Sequence, residues 1–168
     1  MQTYTDFFSS MPQNARVWVY QCNRDFTNDE VSILNDKVKI FCANWKAHGH
    51  PLETSFNIIF NRFIVLAVNE NIEAASGCSI DSSVRFIKDL EKEFKIDFFD
   101  RMNVCFFNKE NQLKSFNFHQ LFTLLNSEEI NLNTPVFNNM VSTKGEFISN
   151  WLTPLKESWI APFIKAGV

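Results

Sequence analysis

Phe63-Ile64-Val65-Leu66-Ala67-Val68 is an unbroken apolar run in which four of the six residues are β-branched or aromatic. It is too short for a helix of its own and has no polar side, so it reads as a strand buried on both faces, central in a sheet. Just before it, Phe56, Ile58 and Phe60 alternate with Asn57 and Asn61, the period of a half-buried strand. Ser55 to Asn69 is thus expected to form two strands, although the turn near Asn61-Arg62 lacks the glycine that tight hairpins favour.

Upstream, Arg16 to Cys22 is β-branched and aromatic and reads as a first strand after an irregular lead-in over residues 1–15 that packs Phe7 and Phe8. Thr27-Asn28-Asp29-Glu30 has the form of a capping box, in which the threonine oxygen and the glutamate carboxylate serve each other's backbone N–H. The helix it opens carries Val31, Leu34, Val38, Phe41, Cys42 and Trp45 on one stripe, and Gly49 is its expected C-terminal cap. On that reading His48 and His50 flank the helix end.

Downstream, Ile80, Val84, Ile87 and Phe94 mark a second amphipathic helix with Ser79 or Asp81 as N-cap. Asn103 to Phe107 and Gln112 to Phe116 flank Lys109-Glu110-Asn111 as another hairpin, and a shorter helix is expected over about Phe118 to Asn126. Val136 to Val141 reads as an edge strand. Thr143 to Glu146 reads as a turn before a brief helix ending ahead of Pro154, with Trp159 and Phe163 anchoring the tail. The element order gives an α+β class: an antiparallel sheet with helices mainly on one face, ferredoxin-like β-α-β-β-α-β with extra C-terminal elements. A profilin-like or roadblock-like sheet is the alternative.

With 168 residues, the chain is expected to form a single domain over 1–168, long enough to build a core without disulfides or metals. Its 19 Phe residues point to an aromatic core. A net charge of −3 gives no long-range attraction to nucleic acid or anionic lipid, so neither is an expected partner. No apolar segment approaches membrane-spanning length and the N-terminus lacks a secretory pattern, which gives a cytoplasmic expectation. Cys22, Cys42, Cys78 and Cys105 stand apart without CxxC pairs, so four reduced thiols are expected. No metal site and no cofactor are expected. His48-Gly49-His50 supplies at most part of a zinc site, and its bland reading is a helix terminus.

The candidate site is the small polar stretch Ala74 to Ser83, which leads from the apolar strand to the second helix. Ser76, Gly77, Ser79, Asp81, Ser82 and Ser83 would surround a helix N-terminus, where unpaired amides and the helix dipole favour an anion. Cys78 in the same stretch is a candidate nucleophile with His48 as its base, because a helix N-terminus promotes the thiolate. Against this, helix capping explains much of the hydroxyl set, and a cysteine among small residues is commonly a packing thiol.

Ala15 to Gln21, Trp45 to Gly49, Ala74 to Ser83 and Ser142 to Phe147 together resemble one small bacterial family whose members carry the label "ABC transporter ATPase". The resemblance implies no site residue. A Walker A loop needs two glycines around four residues followed by Lys-Ser/Thr, and Gly49, Gly77, Gly145 and Gly167 are too dispersed to make one. The function expected from the sequence is binding of a small anionic ligand or a protein partner at Ser76 to Ser83, with homodimerisation through a sheet edge. A thiol-dependent enzyme is the alternative.

Overall fold

The computed structural model describes residues 7–166. In chain order the elements are β1 (Arg16–Gln21), α1 (Asn28–Asn44), β2 (Lys46–Ala47), β3 (His50–Pro51), β4 (Thr54–Ile59), β5 (Phe63–Val68) and α2 (Gly77–Phe94), then β6 (Asn103–Phe107), β7 (Leu113–Asn117), α3 (Leu121–Asn126), β8 (Pro135–Phe137), α4 (Lys144–Asn150), β9 (Leu152–Pro154) and α5 (Ala161–Ala166). Of the irregular lead-in, residues 1–6 lie outside the described residues. Phe8 is buried and meets the Phe147 ring at 6.0 Å.

The class is α+β with antiparallel sheets. One sheet has the order β1-β5-β4 and the other β7-β6-β8-β9, with β2-β3 a separate small hairpin. Along the chain the β-α-β-β-α-β order is present, but β6 leaves the first sheet and pairs with β7 and β8. The first strand also runs antiparallel to β5, in the register Arg16 with Val68 to Gln21 with Phe63. The ferredoxin-like arrangement thus describes the order of elements, not one continuous sheet.

Alternation along β5 explains the layers. Ile64, Leu66 and Val68 face Leu34 and Val38 of α1 and Ile87 and Leu90 of α2, while Phe63, Val65 and Ala67 face Val17, Phe137, Phe147 and Trp151. All six residues of β5 are buried, as an apolar run with no wet face requires. The second sheet alternates likewise: Cys105 and Phe107 point to the first sheet, whereas Val104 and Phe106 point to Leu121, Ile130, Leu155 and Ile160. β8 lies between β6 and β9 and is therefore no edge strand. Its partner β9 forms from residues after α4, a return that no local pattern announces.

The β4–β5 turn is built without glycine. Phe60 and Asn61 take φ of +53° and +51°, and the Arg62 N–H donates to the Ile59 carbonyl at 3.0 Å. Left-handed backbone costs roughly 1–2 kcal/mol for an ordinary residue. Asn61 tolerates it, and Phe60 is compensated by ring contacts with Phe107 at 5.4 Å and Trp151 at 6.1 Å.

Arg62, next in the chain, is buried and spans the seam between the sheets. Its guanidinium donates to the Cys22 and Asn23 carbonyls, each at 2.9 Å, and to Asp25 Oδ1 and Ser115 Oγ, each at 2.8 Å. A buried cation is tolerable only with this degree of pairing.

The capping box of α1 forms as the sequence predicts, with the Thr27 N–H donating to Glu30 Oε2 at 2.8 Å. Its C-terminus differs. The helix stops at Asn44, Trp45 turns extended, and Gly49 at φ +86° sits in the β2–β3 turn instead of capping a helix. The physical reason is Trp45: its ring packs against Phe41 and Trp18, and its N–H is held by α2, so the chain must leave the helical path there.

Candidate functional site

α2 begins three residues earlier than the Ser79 cap predicts. Ser76 is the N-cap, with its Oγ accepting from the Ser79 N–H at 3.2 Å. Neither Ser79 nor Asp81 caps the helix, because both lie inside it. The preceding loop is pinned by Glu70, whose carboxylate accepts from the Ala75 N–H at 3.1 Å and lies 3.6 Å from Arg16.

This earlier start rotates the serines. Ser79 and Ser83 fall on the same face as Ile87 and Leu90 and are buried. Their hydroxyls turn back onto the helix: Ser79 Oγ donates to the Ser76 carbonyl at 2.8 Å, and Ser83 Oγ to the Ile80 carbonyl at 2.7 Å. Ser82 Oγ likewise donates to the Ser79 carbonyl at 2.7 Å. Capping and back-bonding thus account for the hydroxyl protons of this set. Gly77, Cys78 and Asp81 are exposed, and a Cβ added at Gly77 would meet nothing.

Cys78 is exposed, while Cys22, Cys42 and Cys105 are buried, and all four thiols are free. Burial pushes the Cys42 thiol up to about 11 and the Cys105 thiol up to about 12. His48 stands in the β2–β3 turn at φ +50°, with His50 opening β3, so neither flanks a helix end. No hydrogen bond joins His48 to Cys78 among the described residues. The described residues hold no group of three His, Cys, Asp or Glu suited to a metal ion.

Two of the concavities of the surface bear on this stretch. The groove between α1 and α2 encloses about 670 Å³ and is lined by Phe41, Trp45, Phe86 and Leu90, with Ile40 exposed on its rim. Phe41 and Phe86 stack at 4.4 Å across its base. Ser82 is the candidate residue that reaches it.

The second concavity is a cleft of about 500 Å³ at the end of β1, where the two sheets meet. Val19, Tyr20 and Gln21 come from the first sheet, Val104 and Phe137 from the second, and Phe99 with Arg101 from the α2–β6 connection. Tyr20 is buried, and its ring meets Phe99 edge-on at 6.1 Å. Burial raises the Tyr20 pKa, partly opposed by the neighbouring Ser83 side chain. Ser83, a sequence-predicted ligand residue, therefore stands beside a residue of the cleft wall while its hydroxyl donates to Ile80.

An amide chain forms the polar part of the wall. The Trp151 indole N–H donates to Asn139 Oδ1 at 3.1 Å, Asn139 Nδ2 to Gln21 Oε1 at 2.9 Å, and Gln21 Nε2 to the Asn103 carbonyl at 2.8 Å. Gln21 is buried, which fixes the direction of its amide. The α2–β6 connection is stiffened by its own acids. Asp97 Oδ1 accepts from the Phe99 and Asp100 N–H groups at 2.7 and 3.0 Å, and Asp100 Oδ1 from the Met102 N–H at 2.9 Å.

Sequence reasoning missed this cleft because its residues are widely separated in the chain. The only local signal was the unexplained pairing of Phe98-Phe99 with Arg101 between a helix and a strand. No helix among the described residues is long and apolar enough to cross a membrane. Comparison with protein-family models, with curated proteins and with solved structures yields no match for this chain.

Proposed function

We propose that this chain is a binding domain for a small ligand and that the cleft between its two sheets is the pocket. The observation that carries this reading is the makeup of the cleft wall. Five aromatic side chains, Tyr20, Phe98, Phe99, Phe137 and Trp159, surround a buried amide, Gln21, in about 500 Å³. Small-molecule sites are typically clefts of about 300–1,000 Å³, mostly apolar with a few placed polar groups.

The stretch Ser76 to Ser83 then acts at one remove. Its cap starts α2, and the buried Ser83 of the same helix stands beside Tyr20, so the helix start helps to place one wall of the pocket. The test is an amide-resolved NMR titration with a library of small aromatic and aliphatic fragments. Shifts gathered on Tyr20, Gln21, Phe99 and Asn139 support the reading. Shifts gathered on Gly77, Cys78 and Ser79 return the site to the helix start, and a library without effect counts against a binding domain.

A second reading, thiol-dependent chemistry at Cys78, is favoured by one observation: this thiol is exposed in the first turn of α2. Its test is reactivity. Alkylation of Cys78 no faster than that of an unstructured peptide thiol removes the reading.

A further inference from the structure

We infer that the ligand of the cleft is a small, flat, apolar carboxylic acid whose carboxylate meets Arg101. This rests on the reading of the cleft as the pocket and adds the chemistry of its occupant. The argument is an accounting of hydrogen-bonding capacity that the fold leaves unspent.

Arg101 lines the cleft, and among the described residues it has no carboxylate or hydrogen-bond partner. A guanidinium has five N–H donors in a planar fork that matches a carboxylate. Gln21 Nε2 and Asn139 Nδ2 each carry two N–H bonds, and each spends one within the wall, on the Asn103 carbonyl and on Gln21 Oε1. One donor therefore remains on each amide. The carboxylate in the same wall, Asp100, accepts the Met102 N–H through one oxygen and keeps its charge, so the wall holds one partly engaged carboxylate and, in Arg101, a guanidinium without a partner among the described residues. Arg101 is the charged group of this wall that the fold leaves without a partner among the described residues, and two amide N–H groups stand beside it, so an occupant that brings acceptor oxygens is the one that uses them.

The apolar wall decides the rest of the molecule. Phe99 is 40% exposed and Met140 78% exposed at the cleft mouth, unusual positions for large apolar side chains. Rings at Tyr20, Phe99, Phe137 and Trp159 favour a flat body, since aromatic contacts add stabilisation beyond simple area burial. A strongly hydrated polyanion would leave these surfaces uncovered.

The experiment compares three probes on the full chain by calorimetry and NMR: 2-naphthoate, its neutral isostere 2-naphthamide, and octanoate. The expected result is 2-naphthoate binding at the cleft about tenfold more tightly than 2-naphthamide, the effect of one charge-assisted contact. Arg101→Gln, at an exposed position that should not disturb folding, should remove that preference, bringing 2-naphthoate to the affinity of 2-naphthamide. Equal binding of acid and amide at the cleft, or a preference that survives Arg101→Gln, overturns the carboxylate while the pocket stands. Octanoate binding more tightly than 2-naphthoate overturns the flat body. Absence of any shift at Tyr20, Gln21 and Asn139 with all three probes overturns both the inference and the pocket.

Discussion

The Trp45 indole N–H donates to the Ser79 carbonyl at 2.8 Å, joining the residue that ends α1 to the first turn of α2. The same carbonyl accepts from Ser82 Oγ at 2.7 Å, so losing the indole donor would not leave it bare. Trp45→Phe should therefore cost about 2 kcal/mol, one hydrogen bond plus the small cavity left by the larger ring. Trp45→Ala, which also deletes the ring between Phe41 and Trp18, should cost about 3–5 kcal/mol. Urea denaturation with an unchanged m-value reads both.

Glu30 gives a pH signature. Hydrogen bonds from Arg24, at 2.7 and 2.8 Å, and then from the Thr27 N–H pull its carboxyl down to about 2. Because the folded value lies below the ordinary 4.5, the ionised form stabilises the fold above that value, and the contribution is lost as pH falls toward about 2. Glu30→Gln keeps an oxygen for the cap but loses the charge. The variant should be less stable at pH 7 by about 1 kcal/mol, given that Arg24 is partly in water, and the gap should close by pH 2. Thermal unfolding of both proteins across that range measures it.

The thiols should separate by access. In the folded chain, iodoacetamide at pH 8 should label Cys78 within minutes and leave Cys22, Cys42 and Cys105 unmodified until urea is added. Peptide mass mapping gives the result. Early modification of Cys105 would contradict its place between the sheets.

Mg-ATP should give no binding heat and no phosphate release. Gly77 opens α2 and Ser79 supplies a hydroxyl, but Cys78 stands where a phosphate loop needs its lysine, and Ile72 where it needs its first glycine. Micromolar binding with turnover in a calorimetric titration would refute this.

What could be read from the chain was set by local pattern. The β5 run, the Thr27 capping box and the Asn103 to Asn117 hairpin each carry their signal within a few residues, and each formed. The serines of α2 show where pattern misleads. A hydroxyl reads as polar, so pattern alone points Ser79 and Ser83 toward a ligand, yet a serine bonding its own helix fits a tight core face. Gly49 fits a helix cap by pattern, but a hairpin turn makes the same demand for positive φ. The cleft was invisible for a different reason: Gln21, Arg101 and Asn139 become neighbours only when two sheets stack.

Arg62 makes the seam between those sheets a single cooperative unit. Swinging β7 away removes the Ser115 oxygen from a buried guanidinium that is also held by the Cys22 and Asn23 carbonyls at the end of β1, so opening the seam costs a charged hydrogen bond on top of the lost packing. Amide protons along Tyr20, Gln21 and Cys105 should therefore be among the slower to exchange. The cleft inherits this unevenness: a buried floor beneath a rim, at Phe99 and Met140, whose apolar side chains stand in solvent.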